Sequence, residues 1–147
     1  MSEKGALPSD GAALPGDYDR RRTVFVFGSN ELGIHGAGAA LTARRQYGAR
    51  LGVGEGPTGD AYAIPTKRTP YARRFLAEVR ASIQRFLDYA EQHPECDFLV
   101  VRVGCGLAGF RDREMAACFA GAPANCRFDP LWQRYGLESW GEKPLAG

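Results

Sequence analysis

Thr23-Val24-Phe25-Val26-Phe27-Gly28-Ser29-Asn30 decides the fold. Five β-branched and aromatic residues, apolar from Val24 onward, are cut off by Gly-Ser-Asn. An uninterrupted apolar run of this length is how a strand buried on both faces of an α/β sheet reads, since no side of it has to be polar. The following residues, Glu31 to Gly38, form a loop that feeds a helix from about Ala37 to Tyr47, stopped at Gly48. The unit is therefore strand, glycine-rich turn, helix.

The same grammar recurs downstream. After a glycine-dense connection (Gly52, Gly54, Gly56, Gly59), Ala61 to Ile64 predicts a second strand halted by Pro65, which leaves Thr66 and Lys67 at its end. Phe75, Val79, Ile83, Phe86, Leu87 and Ala90 repeat at three- and four-residue spacing and predict a long helix from about Tyr71 to Glu91. Phe98 to Val103 is a third strand, ending in Gly104-Cys105-Gly106-Leu107-Ala108-Gly109-Phe110. A short helix over Asp112 to Phe119, with Arg111 or Asp112 as its N-cap, and a last strand over Ala124 to Phe128 complete the pattern. Trp132, Tyr135 and Trp140 make the C-terminal segment too aromatic for a linker, and part of it is expected to pack on the body.

A chain of 147 residues fits one domain, expected over residues 23–147 behind a flexible tail at residues 1–22 that lacks helical or strand periodicity. Apolar residues at 44% and charged residues at 24% are ordinary for a globular domain. No run is long enough to span a membrane, and Met1 to Asp19 has no continuous hydrophobic segment, so a cytoplasmic location is expected. A formal charge of +2 speaks against nucleic-acid binding, which needs a concentrated basic surface. The basic clusters at Arg20 to Arg22, Arg44 and Arg45, Lys67 and Arg68, and Arg73 and Arg74 read as solvated faces, with Lys67 set apart. Cys96, Cys105, Cys118 and Cys126 form no C-x-x-C pair, so no metal site and no bound cofactor are expected, only reduced thiols.

Chemistry enters through the loops that follow the strands. In open α/β sheets ligands bind beyond the carboxyl ends of the strands, so these loops should converge. Gly36-Ala37-Gly38 opens a helix whose free amides and dipole suit a phosphate. Gly104 to Gly109 offers a second backbone cradle, because glycine permits the positive φ angles that aim several amides at one anion. Glycine equally serves tight helix-to-sheet packing, and it is the set of loops together that points to an anion. Neither G-x-G-x-x-G nor G-x-x-x-x-G-K-[S/T] is present, which excludes the usual dinucleotide and ATPase fingerprints.

The succession Val24 to Asn30, then His35-Gly36-Ala37-Gly38-Ala39-Ala40, then Ile64-Pro65-Thr66-Lys67, then Val103 to Phe110 resembles the macrodomain superfamily. It is most similar to the branch of terminal ADP-ribose-protein glycohydrolases, over roughly Thr23 to Phe128. The resemblance implies a three-layer α/β/α sandwich around a mixed, mostly parallel sheet. It implies as ligand ADP-ribose or a related NAD-derived nucleotide, free or on an ADP-ribosylated macromolecule. Gly28, Ser29, Asn30, His35, Gly36, Ala37, Gly38, Ala39, Thr66, Lys67 and Gly104 to Phe110 would line that site, with Gly36 to Ala39 and Gly104 to Phe110 flanking the diphosphate and Asn30 facing the distal ribose.

Lys67 matches the lysine that, in that branch, attacks the anomeric carbon, and it reads either as a nucleophile or as a phosphate partner. The branch has an acidic residue directly after G-C-G-L, where this chain has Ala108. Asp112 either substitutes for it or caps a helix. The function expected is an ADP-ribose-binding module, with ADP-ribosyl glycohydrolase through Lys67 as the alternative. His35 reads as a ligand contact, Phe110 as a ring against ribose or adenine or as core, and Cys105 as a small buried spacer.

Overall fold

The computed structural model describes residues 21–141; residues 1–20, most of the expected tail, and residues 142–147 lie outside the described residues. The elements run β1 (Arg22–Asn30), α1 (Gly38–Gln46), β2 (Gly56–Thr58), β3 (Ala61–Thr69), β4 (Ala72–Arg73), α2 (Leu76–Gln92), β5 (Cys96–Val100), α3 (Asp112–Cys118), β6 (Cys126–Phe128) and a 3-10 helix (Pro130–Tyr135). One mixed sheet has the order β2-β3-β1-β5-β6, with β4 also on β3. The strands β3, β1, β5 and β6 are parallel, whereas β2 and β4 run antiparallel to β3.

Period-two alternation along the central strands divides the core into two layers. Phe25 and Phe27 of β1, with Ala61 and Ala63 of β3, point to one face and meet Ala40 and Ala43 of α1. Val24, Val26, Tyr62, Ile64, Phe98 and Val100 point to the other, against Val79, Ile83 and Phe86 of α2 and Met115 and Phe119 at α3. Trp132 of the 3-10 helix is buried in this second layer, so the aromatic C-terminal segment does pack on the body. The small residues of α1 let that helix lie close to the sheet, while rings fill the thicker layer opposite. Helices on both faces of a mostly parallel sheet make the α/β/α sandwich that the sequence implied.

The ring contacts fix the direction of α1. Tyr47, just past its end, stacks on Phe25 at 4.5 Å, and His35, before its start, meets Phe27 edge-on at 5.2 Å. The helix thus runs antiparallel to β1 and begins at the carboxyl rim of the sheet. Among the described residues no helix is long and apolar enough to cross a membrane.

Several boundaries differ from the sequence reading, each for a local reason. The first strand starts at Arg22 and runs on to Asn30. Pro65 does not halt β3: the register with β1 slips here, from Ser29 opposite Pro65 to Asn30 opposite Lys67. The missing amide therefore falls at an irregularity, and the Pro65 carbonyl accepts a hydrogen bond from Arg74 Nη1 at 2.6 Å. Residues Tyr71 to Phe75 do not begin the long helix. Thr69 pairs with Ala72 and Lys67 with Arg73, so Pro70 and Tyr71 form the turn of a hairpin. Phe75 stays extended as the N-cap of α2, its amide donating to Glu78 Oε1 at 3.0 Å. The glycine-dense connection holds a short strand, β2, and β5 ends at Val100, earlier than the apolar run suggests.

One close approach joins that connection to the end of β1. A Cβ on Gly54 would sit 2.6 Å from the Asn30 carbonyl oxygen and 2.7 Å from that of Glu31, and the Ser29 hydroxyl donates to the Gly54 carbonyl. Gly54→Ala should therefore force backbone apart and lower unfolding stability by about 2 kcal/mol in a urea titration. An unchanged midpoint would show that this contact is loose.

Candidate functional site

Between β1 and β5 the chain's connections part. From β1 the chain leaves through α1 on one face of the sheet to reach β3, and from β5 it leaves through α3 on the other face to reach β6. Adjacent parallel strands whose connections diverge in this way leave a crevice at their carboxyl ends, where ligands settle in open α/β sheets. The roots of the two glycine loops are in contact there. A Cβ on Gly28 would lie 3.3 Å from the Gly104 amide nitrogen and 3.6 Å from the Thr66 side chain. Thr66 donates its hydroxyl to the Ser29 carbonyl at 3.3 Å. Gly28, Ser29, Thr66 and Gly104 are thus gathered at one point, as the sequence reading requires.

One wall of the crevice is the start of α1. Its N-cap, Ala37, has an extended backbone and no side-chain cap, and no acid occupies the first turn. Gly36, Ala37 and Gly38 are exposed. The first amides of a helix have no acceptor inside it, so those of Gly38, Ala39 and Ala40 are without a helical partner at the positive end of the dipole, Gly38 with φ +59. A protein-built start would ordinarily carry Ser, Thr, Asp or Asn at Ala37.

The other wall is the loop after β5. Gly104 has φ +81, a conformation that L side chains rarely adopt, and its backbone lies against Phe110 and Met115. The Phe110 amide returns to the Gly104 carbonyl at 2.8 Å and the Gly109 amide to Gly106 at 3.0 Å, closing the loop on itself. Among the described residues, the amides of Gly106, Leu107 and Ala108 donate to nothing. Leu107 is largely exposed, as are Leu32 and Ile34 on the loop after β1, so both glycine segments carry apolar surface beside their amides. Phe110 belongs to the core.

Two residues named from sequence are buried in the structure. Asn30 is 4% exposed, and its carboxamide organises its own loop: Oδ1 accepts from the Leu32 and Ile34 amides at 3.1 Å each, and Nδ2 donates to the Ile34 carbonyl at 2.8 Å. His35 is fully buried beneath that loop, its Nε2 3.2 Å from the Arg50 carbonyl. Burial holds its pKa below the ordinary imidazole value, so it is a neutral ring in the core layer of α1.

Lys67 stands at the end of β3, its Nζ 2.9 Å from the Pro70 carbonyl in the hairpin turn. Directly across the ladder is Arg73, whose guanidinium lies 4.4 Å from the Phe110 ring centroid and whose Nη1 reaches the Gly109 carbonyl at 3.4 Å. The hairpin therefore touches the glycine loop. Sequence reading left Arg73 among solvated cations; the signal that could have found it is the Thr-Pro-Tyr turn, which folds Arg73 back beside Lys67. Arg73 is exposed, whereas Arg74 is no surface residue. It is mostly buried, binding Glu31 at 2.9 Å and Ser82 Oγ at 2.9 Å as well as Pro65, and so fixes the end of β3.

The neck of the loop is closed by a charged clasp. Arg102, just before it, and Asp112, just after it, form two parallel bonds of 2.7 Å, and Trp132 Nε1 donates to the same carboxylate at 2.7 Å. The Arg102 hydrogen bonds hold the Asp112 carboxyl down at about 2. Cys105 lies against this clasp. Burial, helped by the Asp112 charge, pushes its thiol up to about 12, which keeps it protonated at neutral pH. Among the described residues no group of three or more His, Cys, Asp or Glu side chains could hold a metal ion.

Two surface hollows of about 510 Å³ each lie elsewhere, lined by residues such as Arg21, Asp97, Pro123, Asn125 and Leu137. Arg21 pairs there with Asp97 and Arg127 with Glu138, and neither hollow lies at the carboxyl ends of β1 and β5. The amide-lined crevice is the better candidate.

Asp112→Asn removes the charge and should cost about 2 kcal/mol of stability at neutral pH. Because the folded carboxyl titrates below its unfolded value, the clasp contributes fully above about pH 4 and is lost as pH falls towards 2. Urea midpoints between pH 5 and 2 should fall more steeply in the unmodified protein than in the variant; parallel curves would remove Asp112 from this role.

No family model matches the sequence, and no curated protein matches it. Solved structures do. The macrodomain of Mycobacterium tuberculosis DarG aligns with a TM-score of 0.56 and 20% identity over 78% of this chain and 93% of that one. Thermosipho africanus DarTG in complex with ADP-ribose aligns with a TM-score of 0.53 and 14% identity over 76% of this chain, which spans 39% of DarTG. At these identities the likeness is one of architecture: this chain has the macrodomain fold.

Proposed function

We propose that the protein binds ADP-ribose or a related NAD-derived nucleotide, its diphosphate seated between the start of α1 and the Gly104 to Phe110 loop. The observation that carries this reading is the pair of undonated amide sets, at Gly38 to Ala40 and at Gly106 to Ala108. They stand on loops rooted together where β1 and β5 diverge. A diphosphate needs several donors on both sides and little else. The apolar surface of Leu32, Ile34 and Leu107 suits the nucleoside portions. Support for the ligand's identity comes from DarTG, which shares the fold and was solved with ADP-ribose. The ligand would be met free or attached to a macromolecule, in the reducing cytoplasm where Cys96, Cys105, Cys118 and Cys126 remain free thiols.

Turnover is the second reading, favoured by the position of Lys67 at the same rim. Attack at the anomeric carbon by its amine would need a nearby acid to process the intermediate. Asp112 is committed to Arg102 and Trp132, and Ala108 carries no charge. These facts weigh towards a module that holds its ligand without cleaving it.

Calorimetric titration with ADP-ribose should give saturable heat. Gly36 has an ordinary φ and open space where a side chain would grow, so Gly36→Glu tests charge without strain, and it should weaken binding at least tenfold. Incubation with an ADP-ribosylated protein should release no ADP-ribose. Release that disappears in Lys67→Ala would establish the glycohydrolase instead.

A further inference from the structure

The hairpin of β3 and β4 carries four cations, Lys67, Arg68, Arg73 and Arg74, and its charges are divided unequally. Arg68 pairs with Glu78 at 2.7 Å and with Glu31 at 3.8 Å, and Arg74 pairs with Glu31 at 2.9 Å. Among the described residues Lys67 and Arg73 have no acidic partner, yet they stand directly opposite each other in the ladder. Like charges at directly opposite positions repel, and a strand pair does not gain by placing them so. A second fact, independent of the first, ties this unrelieved charge to the crevice. The Arg73 guanidinium lies on Phe110 and reaches the Gly109 carbonyl, at the closing end of the loop whose central amides are undonated.

We infer that Arg73 is a specificity-determining residue of this site, adding to Lys67 the full positive charge that makes the Gly104 to Phe110 loop select a phosphate-bearing ligand. Backbone amides supply direction and only partial charge. The Arg73 cation in contact with the loop, with Lys67 opposite it in the ladder, biases the loop towards anions and is itself relieved when one arrives. The inference rests on the proposed anion site and extends it, from which atoms touch the ligand to what sets its charge preference.

Titration of ADP-ribose and, separately, of inorganic pyrophosphate at two salt concentrations tests this. The proteins are the unmodified chain, Arg73→Lys, Arg73→Gln, and Arg45→Gln as a control for net charge at the far end of α1. Arg73→Gln, which keeps a donor for Gly109 but no charge, should weaken both ligands about tenfold and flatten the dependence of affinity on salt. Arg73→Lys should restore both, and Arg45→Gln should change neither. If glutamine binds like arginine, or if lysine fails to rescue while unfolding midpoints are equal, Arg73 acts by shape and the inference falls. Pyrophosphate bound in an Arg73-dependent way without ADP-ribose binding would overturn the nucleotide reading and leave Arg73 standing. Absence of binding by either ligand overturns both.

Discussion

Gly28 and Gly104 meet backbone to backbone, and the site is arranged around that contact. Neither position has a side chain, so the ends of β1 and the loop after β5 come within van der Waals distance. Because α1 leaves on one face and α3 on the other, the two loops separate from this shared root and open a crevice between them. Parallel pairing of β1 with β5 fixes where the two strands end relative to each other, and the buried residues of β1 alternate between the two core layers.

Around this root, each wall is fixed by a different kind of force. The α1 wall is held by small-residue packing and by Asn30, whose carboxamide accepts two hydrogen bonds from the turn leading to the helix and donates one to it. The loop wall is held by charge, through the bidentate Arg102 and Asp112 pair, with Trp132 reaching in from the C-terminal segment. The indole is buried, so this polar contact also anchors the 3-10 helix to α3. The last segment of the domain thereby acts on the geometry of a loop more than twenty residues earlier in the chain.

The strands that frame the crevice were legible because burial on both faces requires unbroken apolar runs, as at Val24 to Phe27 and Phe98 to Val100. The loops after them were legible as breaks because glycine clusters end the apolar runs there, as at Gly28 and Gly104. The hairpin was not. Phe75 sits at helical spacing from Val79, so local periodicity extended α2 backwards over residues that the tertiary ladder with β3 claims instead. Pro65 misled for a related reason: its lack of an amide is harmless only where the register slips, and a slip is a property of two strands, not of one. Asn30 and His35, expected as ligand contacts, are both buried within their own loop region, a placement that sequence does not distinguish from one facing a ligand.

The uncapped start of α1 has a thermodynamic consequence of its own. Three helical amides left to water forgo the contribution a side-chain cap would make, about 1 kcal/mol. An anion seated there supplies those bonds to the folded state alone, since the unfolded chain offers no such cluster. Occupancy and foldedness are then linked variables, and stability rises with the logarithm of one plus the ligand concentration divided by its Kd. A melting curve thereby becomes a readout of what the crevice contains.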